Sequence, residues 1–572
     1  MSSSMEKLIN FKKQLTAILA LSLIYIIWAC VFIYRSSFIG IDGKRYFVLF
    51  DDAMISMRYA WHLSHGYGLG WNVGERVEGI TNLLWTLWMS LATWAFSKSD
   101  AVLFIQISGI VLVLGVAFLA VAIAGRINRE THSVIDNAWK SVFLFAAVIM
   151  YYPLSYWSLF GMETGFLTLL ILTAIFVVLK YGARVGVLWP LLGAFALAIW
   201  TRPDALIPVL LIISYRFLFF PKNKETLKVI VVESLITTGI VLLRMAFSLY
   251  YYGELWPNTY TLKLTGMPAL ARVSNGIGFI KPYLLTVVPL FGVLALDYKT
   301  FLNSENSKQK ILLLSIISAA IIYQIWVGGD PWPYWRMMAT VMPLLFIVSV
   351  DSVFNLTGAS QLKSEAQWAI NHADMWLKMG RFARRTILFA VILSAYAAAN
   401  YKFLGEQFYR EPAYQTDAMH AYVDYALVTN EVLINNASIA LVAAGTMPYY
   451  SNFKAIDMLG KSDKHVARMP PDMSGAMSWS GMRSVPGHNK YDLRYSIIGL
   501  KPTFLQCFIV GRDDLTDYAL EHYARVQYKG IDVWLLANSE DVLWSKIQIY
   551  LYRPRAGTPS KVEMARKMGK SV

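Results

Sequence analysis

The chain has 572 residues, 56% of them from the set AVILMFWYC and only 16% charged, against about 25% charged in an ordinary soluble domain. With a mean hydropathy of +0.45 it cannot cover an aqueous surface, which excludes a purely soluble enzyme, intrinsic disorder and collagen-like structure. Two cysteines, Cys30 and Cys507, exclude a disulfide scaffold and a multi-Cys zinc site and are expected as free, packed thiols; the net charge of +15 belongs to cytoplasmic loops of a membrane protein rather than to nucleic-acid binding.

Apolar runs near 14–35, 101–124, 140–158, 164–180, 187–200, 204–219, 228–248, 280–297, 310–327, 337–354 and 386–403 predict about eleven membrane spans. The first is too long, and lacks a small-residue cleavage site, for a removable signal peptide. Lys7, Lys12 and Lys13 precede it and put the N-terminus in the cytoplasm. Residues 81–97 are apolar enough to span. Reading them instead as a helix lying in the outer interface, with Trp85, Trp88 and Trp94 at headgroup level, fixes every loop. Arg126, Arg129, Lys180, Arg184, Lys222, Lys224, Lys228, Lys299, Lys308, Lys310, Lys363, Lys378, Arg381, Arg384 and Arg385 then lie on the cytoplasmic side.

This topology divides the chain into a membrane domain, 1–403, and an outer tail, 404–572. The outer side also receives loops at 36–80, 249–279 and 328–336. Strand-like runs at 437–445, 504–510 and 531–537 predict a compact α/β domain for the tail. The basic C-terminus, with Arg553, Arg555, Lys561, Arg566, Lys567 and Lys570, reads as a solvated tail that can touch anionic headgroups. There is no internal repeat, which disfavours a secondary transporter.

The spans are nearly free of charge, and ionisable residues gather at their outer ends, where a water-filled cavity can hold them. In FDDAMISMRYAW the adjacent Asp51 and Asp52 are followed by Arg58, which shares a helical face with Asp51. Such a group can deprotonate a hydroxyl and bind an anionic leaving group, or simply form a helix start favoured by the dipole. Further polar segments are SYWSLFGMETG with Glu163, TRPD with Arg202 and Asp204, RMAFSLYYYGELWPNTYTLK with Arg244 and Lys263, and GGDPWPYWR with Asp330 and Arg336. Together Arg58, Arg202, Lys263 and Arg336 meet Asp51, Asp52, Glu163 and Asp330 at one membrane level, the ground plan of a site for a lipid-linked phosphate. His62 and His65 are expected to pack or hydrogen-bond; His465 and His488 belong to the tail.

The motifs DDAMISMRYA, GLGWNVGERVEGITNLLW, GMET, TRPD, YYGELWPNTY and GGDPWPYWR resemble the GT-C superfamily of polyprenyl-phosphate-dependent glycosyltransferases. In the tail, AAGTMPYYSNFKAIDMLGKSDKHVAR and PGHNKYDLRYSIIGLKP do so too. They are most similar to the arabinofuranosyltransferase branch, which acts on mycobacterial cell-wall arabinan and on pseudomonad type IV pilin. The resemblance runs from about Phe50 to Pro502. It implies a polytopic α-helical GT-C fold with in-plane helices and an outer α/β domain, in a bacterial inner membrane. It implies transfer of D-arabinofuranose from a polyprenyl phosphate to a glycan or pilin hydroxyl. Asp51, or less favourably Asp52, is then the base. Arg58, Arg202, Lys263 and Arg336 hold the donor phosphate, and Glu163, Asn258, Asp330, Tyr449 and His488 are candidates for sugar and acceptor contacts. Departures are TRPD, where Glu is expected, and GHNK, where GHEK is expected; the second removes a carboxylate beside His488. No cofactor is firmly predicted, a divalent cation stays open though the sequence gives it no support, and the expected partners are membrane lipids and the donor and acceptor of a monomeric enzyme. A flippase for lipid-linked sugars, a GT-C enzyme of another sugar and a non-catalytic assembly subunit are the competing classes.

Overall fold

A computed structural model describes residues 2–127, 134–182, 188–298, 304, 306–356, 380–399, 401–434, 436–474, 480, 482–506 and 513–547. Cys507, Arg129, Arg184, Lys299, Lys363, Lys378, the end of the 504–510 run and the basic C-terminus lie outside the described residues.

Each apolar run forms a helix. Helix α1 is Ser2–Ser36; a short hairpin, β1 (Phe38–Ile39) and β2 (Arg45–Tyr46), leads to α2 (Asp51–Ser64) and α3 (Leu83–Ala95). There follow α4 (Lys98–Ile127), α5 (Val134–Ile149), α6 (Tyr152–Leu159), α7 (Thr164–Tyr181), α8 (Leu188–Thr201), α9 (Leu206–Phe219) and α10 (Lys224–Tyr252). Then come α11 (Asn258–Leu264), α12 (Ala269–Leu296), α13 (Ser307–Val327), α14 (Arg336–Ala339), α15 (Met342–Leu356), α16 (Arg381–Ala399) and α17 (Tyr401–Gln407). Among the described residues six helices (α1, α4, α7, α10, α12 and α13) are long and apolar enough to cross a bilayer, seven if the bent pair α5–α6 counts as one. The chain is therefore a multi-pass membrane protein. The other expected spans are helices too, but α8, α9 and α15 have only 14, 14 and 15 residues. Three arginines crowd the first turns of α16. The run 140–158 breaks because Pro153 has no N–H to continue a helix and instead sits in the first turn of α6, giving a bend of 51°. Helix α3, at 13 residues, is about 20 Å long against a hydrocarbon core of roughly 30 Å, so it cannot span alone.

Two expectations need correction. The helices are not nearly charge-free: Arg216 pairs with Glu233 between α9 and α10, and Lys140 and Lys310 both meet Asp351. All five side chains are buried, and mutual pairing is what lets such charges leave water. Cys30, expected to be packed, is free but exposed on α1.

The C-terminal region carries α18 (Thr416–Val432), β3 (Ser438–Leu441), α19 (Thr446–Tyr450), β4 (Lys454–Asp457), α20 (Lys464–Arg468), β5 (Phe504–Leu505), α21 (Asp513–His522), β6 (Tyr523–Tyr528) and β7 (Ile531–Leu536). The strands form one sheet in the order β4-β3-β5-β7-β6, with β3 parallel to β4 and β5 and the β5–β7 and β6–β7 pairs antiparallel. Successive residues of β3 point to opposite faces. Ile439 and Leu441 join the core that continues into the membrane helices, whereas Ala440 joins a second core with Ile497, Ala519 and Tyr523. Burial on both faces is why this strand reads as an unbroken apolar run.

Helix α2 is what the C-terminal region docks on. The Asp51 carboxylate accepts the backbone N–H groups of Gly445 (3.1 Å) and Thr446 (2.8 Å), at the start of α19. Two turns along the same face, Arg58 donates to the carbonyls of Pro448 and Phe453 at the other end, and to Trp71 and Asn72 of its own loop. An acid thus satisfies amides at the start of this five-residue helix, and a base the open carbonyl of Pro448 within it and that of Phe453 just beyond it. Any Cβ at position 445 would overlap the Asp51 carbonyl oxygen, so only glycine allows this approach. Asn72 completes the joint by bonding both the N–H (3.0 Å) and the carbonyl (2.8 Å) of Ala455 in β4.

Arg58 is buried, so Arg58→Leu strands its acceptors at about 1–3 kcal/mol for each one that water does not reach. The detergent-solubilised variant is expected to unfold several degrees below wild type and to expose the 445–455 segment to protease. An unchanged melting curve and digestion pattern would contradict this.

Candidate active site

Asp51 and Asp52 are neighbours in the first turn of α2, so their side chains diverge by about 100°. Asp51 faces the C-terminal region, whereas Asp52 faces a cavity of about 530 Å³. At the polar end of the cavity Asp52 is ion-paired to Lys461, lies 3.3 Å from Arg336 Nη1 and accepts the Trp332 indole N–H at 3.2 Å. Arg336, the first residue of α14, also meets Asp330 at 2.9 Å. Arg202 is gripped by Glu163 (2.6 Å) and Asp204 (2.8 Å), and Asn82 steadies Glu163 at 3.0 Å. Lys263, on α11, lines the same cavity and makes no hydrogen bond or ion pair among the described residues. Arg244 pairs with Glu78 at the wall. The cavity continues between α8, α9, α10 and α13 into an apolar end lined by Ile199, Leu206, Ile207, Leu210, Val241, Met245 and Val327.

The segment 328–336 is bent hard to deliver these groups. Gly328, Gly329, Tyr334 and Trp335 all have positive φ, at 93°, 78°, 63° and 41°. For the two aromatic residues this backbone is costly, and such strain persists only where the surroundings hold it. Here the holder is Glu406, which accepts the hydroxyls of Tyr334 and Tyr152, while Trp157 donates to the Tyr334 carbonyl at 3.2 Å. Arg336 follows directly.

Electrostatics separates the two aspartates. Burial pushes Asp51 up to about 6, only partly opposed by the Thr446 N–H and Lys461. Burial acts on Asp52 in the same direction, but Lys461 and Arg336 outweigh it and hold Asp52 well below the usual carboxylate range. Asp52 likewise outweighs the burial that would discharge Lys461. Burial lowers Lys263 to about 8. Divalent cations need free carboxylate oxygens. Asp52, Glu163, Asp204 and Asp330 each face a cation already, and no group of three or more His, Cys, Asp or Glu able to hold a metal occurs among the described residues. The donor set does not fit a metal ion.

Of the residues singled out from the sequence, Asp52, Glu163, Arg202, Lys263, Asp330 and Arg336 meet around this cavity. Asp51 and Arg58 do not; both serve the docking of the C-terminal region. Asn258 gives its side-chain N–H groups to the carbonyls of Gly460 (2.9 Å), Lys461 (3.0 Å) and Asp463 (3.2 Å), and so holds the loop that carries Lys461. Tyr449 is buried against the start of α4, donating to the Lys98 carbonyl at 2.9 Å. His488 stands edge-on to Trp332 with ring centroids 5.8 Å apart. His62 bonds the Gly70 carbonyl at 2.8 Å, and His465 lies 2.9 Å from Asp492. Lys461 and Trp332 were missed by sequence reasoning. Their only signal was membership of the GKSDK and GGDPWPYWR motifs.

The comparisons with known proteins bear on the fold. The profile of a family described as a domain of unknown function (DUF8728) matches residues 400–547. No curated protein matches the sequence. The oligosaccharyltransferase of Archaeoglobus fulgidus, solved in its apo form, is 10% identical over 92% of this chain and 75% of its own, with a TM-score of 0.51. ArnT from Cupriavidus metallidurans is similar in the apo state, at 13% identity over 77% of this chain and 86% of its own, with a TM-score of 0.46. ArnT bound to undecaprenyl phosphate is 11% identical over 78% and 88%, with a TM-score of 0.48. The fold, a multi-pass helical membrane domain with a C-terminal region built on a small sheet, is similar to that of the Archaeoglobus fulgidus protein.

Burial, reinforced by nearby Lys461, lowers His488 to about 4. Folded protein therefore binds fewer protons than unfolded protein between about pH 4 and 6.5, and stability falls as pH drops through that window. The melting temperature of wild type is expected to fall more steeply there than that of His488→Gln. Parallel pH profiles would rule out a neutral, buried imidazole.

Proposed function

We propose that this protein is a glycosyltransferase that moves a sugar from a polyprenyl-phosphate carrier to an acceptor hydroxyl at the outer membrane face, with the C-terminal region outside. The observation that carries the reading is one cavity with two ends: Asp52 among Arg336, Lys461 and Lys263 at one, and a greasy channel between helices at the other. An amphiphile with a phosphate at the end of an isoprenoid chain matches both. The fold is one that an archaeal oligosaccharyltransferase also uses, although fold alone does not define chemistry.

The reaction balances with the residues present. The acceptor oxygen attacks the anomeric carbon while its proton passes to the Asp52 carboxylate. The bond between that carbon and the phosphate oxygen breaks, and its electron pair leaves with the polyprenyl phosphate. The monoester gains one negative charge, which Arg336, Lys263 and Lys461 are disposed to neutralise. Asp52 is preferred to Asp51 as base because its carboxylate borders the cavity, whereas that of Asp51 is spent on two backbone amides. Arg58 drops out of the phosphate cluster for the same kind of reason. The sugar, D-arabinofuranose, and the acceptor, a glycan or pilin hydroxyl, rest on motif resemblance.

The purified protein, given synthetic polyprenyl-phosphoryl sugars, is expected to release polyprenyl phosphate with an arabinofuranosyl donor and not with hexosyl donors. A hexose preference would move the protein to another branch of the same chemistry. Asp52→Asn should slow release roughly 10²- to 10⁴-fold, the usual worth of a general base, with donor binding retained. Near wild-type turnover in that variant, or efficient use of a nucleotide sugar, would reject the assignment.

A further inference from the structure

We infer that Lys461 and Arg336 are shared in turn by Asp52 and the donor phosphate, so that arrival of the lipid phosphate releases Asp52 to accept the acceptor's proton. The inference rests on reading the cavity as a polyprenyl-phosphate site, and it assigns to Lys461 a role in donor binding and in the timing of proton transfer.

Asp52 has two cations and the Trp332 indole around its carboxylate. In that state three of its roughly four lone-pair sites are occupied, two of them by cations, and it is a poor acceptor for a hydroxyl proton. Three donors that line the cavity make no hydrogen bond among the described residues: the Lys263 ammonium, the buried Arg336 Nε–H and the Thr259 hydroxyl. They offer an entering anion a first foothold. Neutralising a phosphodiester calls for more charge-assisted contacts than one free ammonium supplies. Arg202 and Arg244 are held by Glu163, Asp204 and Glu78, so the other cations within the cavity are those already on Asp52.

Lys461 is built for such an exchange. Its backbone is tied through Asn258 to α11, the helix that also carries Lys263. Two ammonium groups therefore belong to one rigid unit, while the four-carbon stem of Lys461 lets its charge swing. Asp51 shows what a carboxylate at this place does without a cation in contact: burial carries it to about 6. Asp52, once relieved, moves toward the same behaviour and becomes a stronger base. The charged and titratable groups facing Asp52 are Lys461 and His488 from the C-terminal region, Arg336 from α14, Lys263 from α11 and Asp51 from α2. Asp330 shares Arg336.

The exchange predicts proton uptake on binding. The probe is geranylgeranyl methyl phosphodiester, which has no titrating group near neutrality and needs neither sugar nor acceptor. Calorimetry of the full-length protein in buffers of different ionisation enthalpy reads the protons taken up. At pH 5 Asp51 and Lys263 are already largely protonated, so Asp52 and His488 are the groups left to respond among those with shifted titration that face Asp52. Wild type and His488→Gln are expected to take up about half to one proton, and Asp52→Asn none. Lys461→Met should bind the probe at least about tenfold more weakly at pH 7.5, the loss of one charge-assisted contact, with reduced uptake at pH 5; Lys461→Arg should restore both. Binding without uptake, or uptake that survives Asp52→Asn, overturns the exchange and leaves the donor-site reading standing. Absence of any binding by wild type overturns both.

Discussion

Everything in this structure depends on how one helical turn divides two adjacent carboxylates. Asp51 and Asp52 leave α2 in different directions. The first anchors the start of α19, and Arg58 anchors its end. Docking of α19 fixes β4 behind it, and the turn after β4 carries Lys461 back to Asp52. A shift of α2 by one residue would exchange the roles of the two acids and break both the joint and the charge cluster.

The cavity is balanced before any ligand enters. Five acids (Asp52, Glu163, Asp204 and Asp330, with Glu78 behind the wall) stand against five cations (Arg202, Arg244, Lys263, Arg336 and Lys461). The Glu163–Arg202–Asp204 group is self-contained and rigid. The Asp52–Lys461–Arg336 group is not, because among the described residues the Arg336 Nε–H stays unsatisfied. The strained backbone before Arg336 suits this division, since a guanidinium held by an over-determined loop keeps its direction when its partners change.

Hydropathy made the helices legible, because bilayer length and 1.5 Å rise translate directly into runs of apolar residues. It could not show that the run at 140–158 is broken by Pro153, or that pairs such as Arg216–Glu233 neutralise charge between helices. The gathering of Glu163, Arg202, Lys263, Asp330 and Arg336 was legible from polar segments at one end of successive spans. The shared face of Asp51 and Arg58 was legible too, from their spacing of seven. What that face touches was not: its partners in the C-terminal region are backbone groups near residue 450, whose one mark on the sequence is the glycine at 445. Lys461 was hidden for a related reason. It reaches the site across more than 400 residues of chain, and only the docking of a separate sheet brings it there.

That distance has a consequence for biosynthesis. A nascent chain emptied from the ribosome as far as α15 already contains Asp52, Arg202, Lys263 and Arg336, in the segments that join its membrane helices. It lacks Lys461 and the segment that pins α2. Until α19 has seated, Asp51 lacks its two amide donors and Arg58 two of its carbonyl acceptors. The charge cluster around Asp52 is therefore completed last, by a lysine that leaves the ribosome about 400 residues after the acid it pairs with.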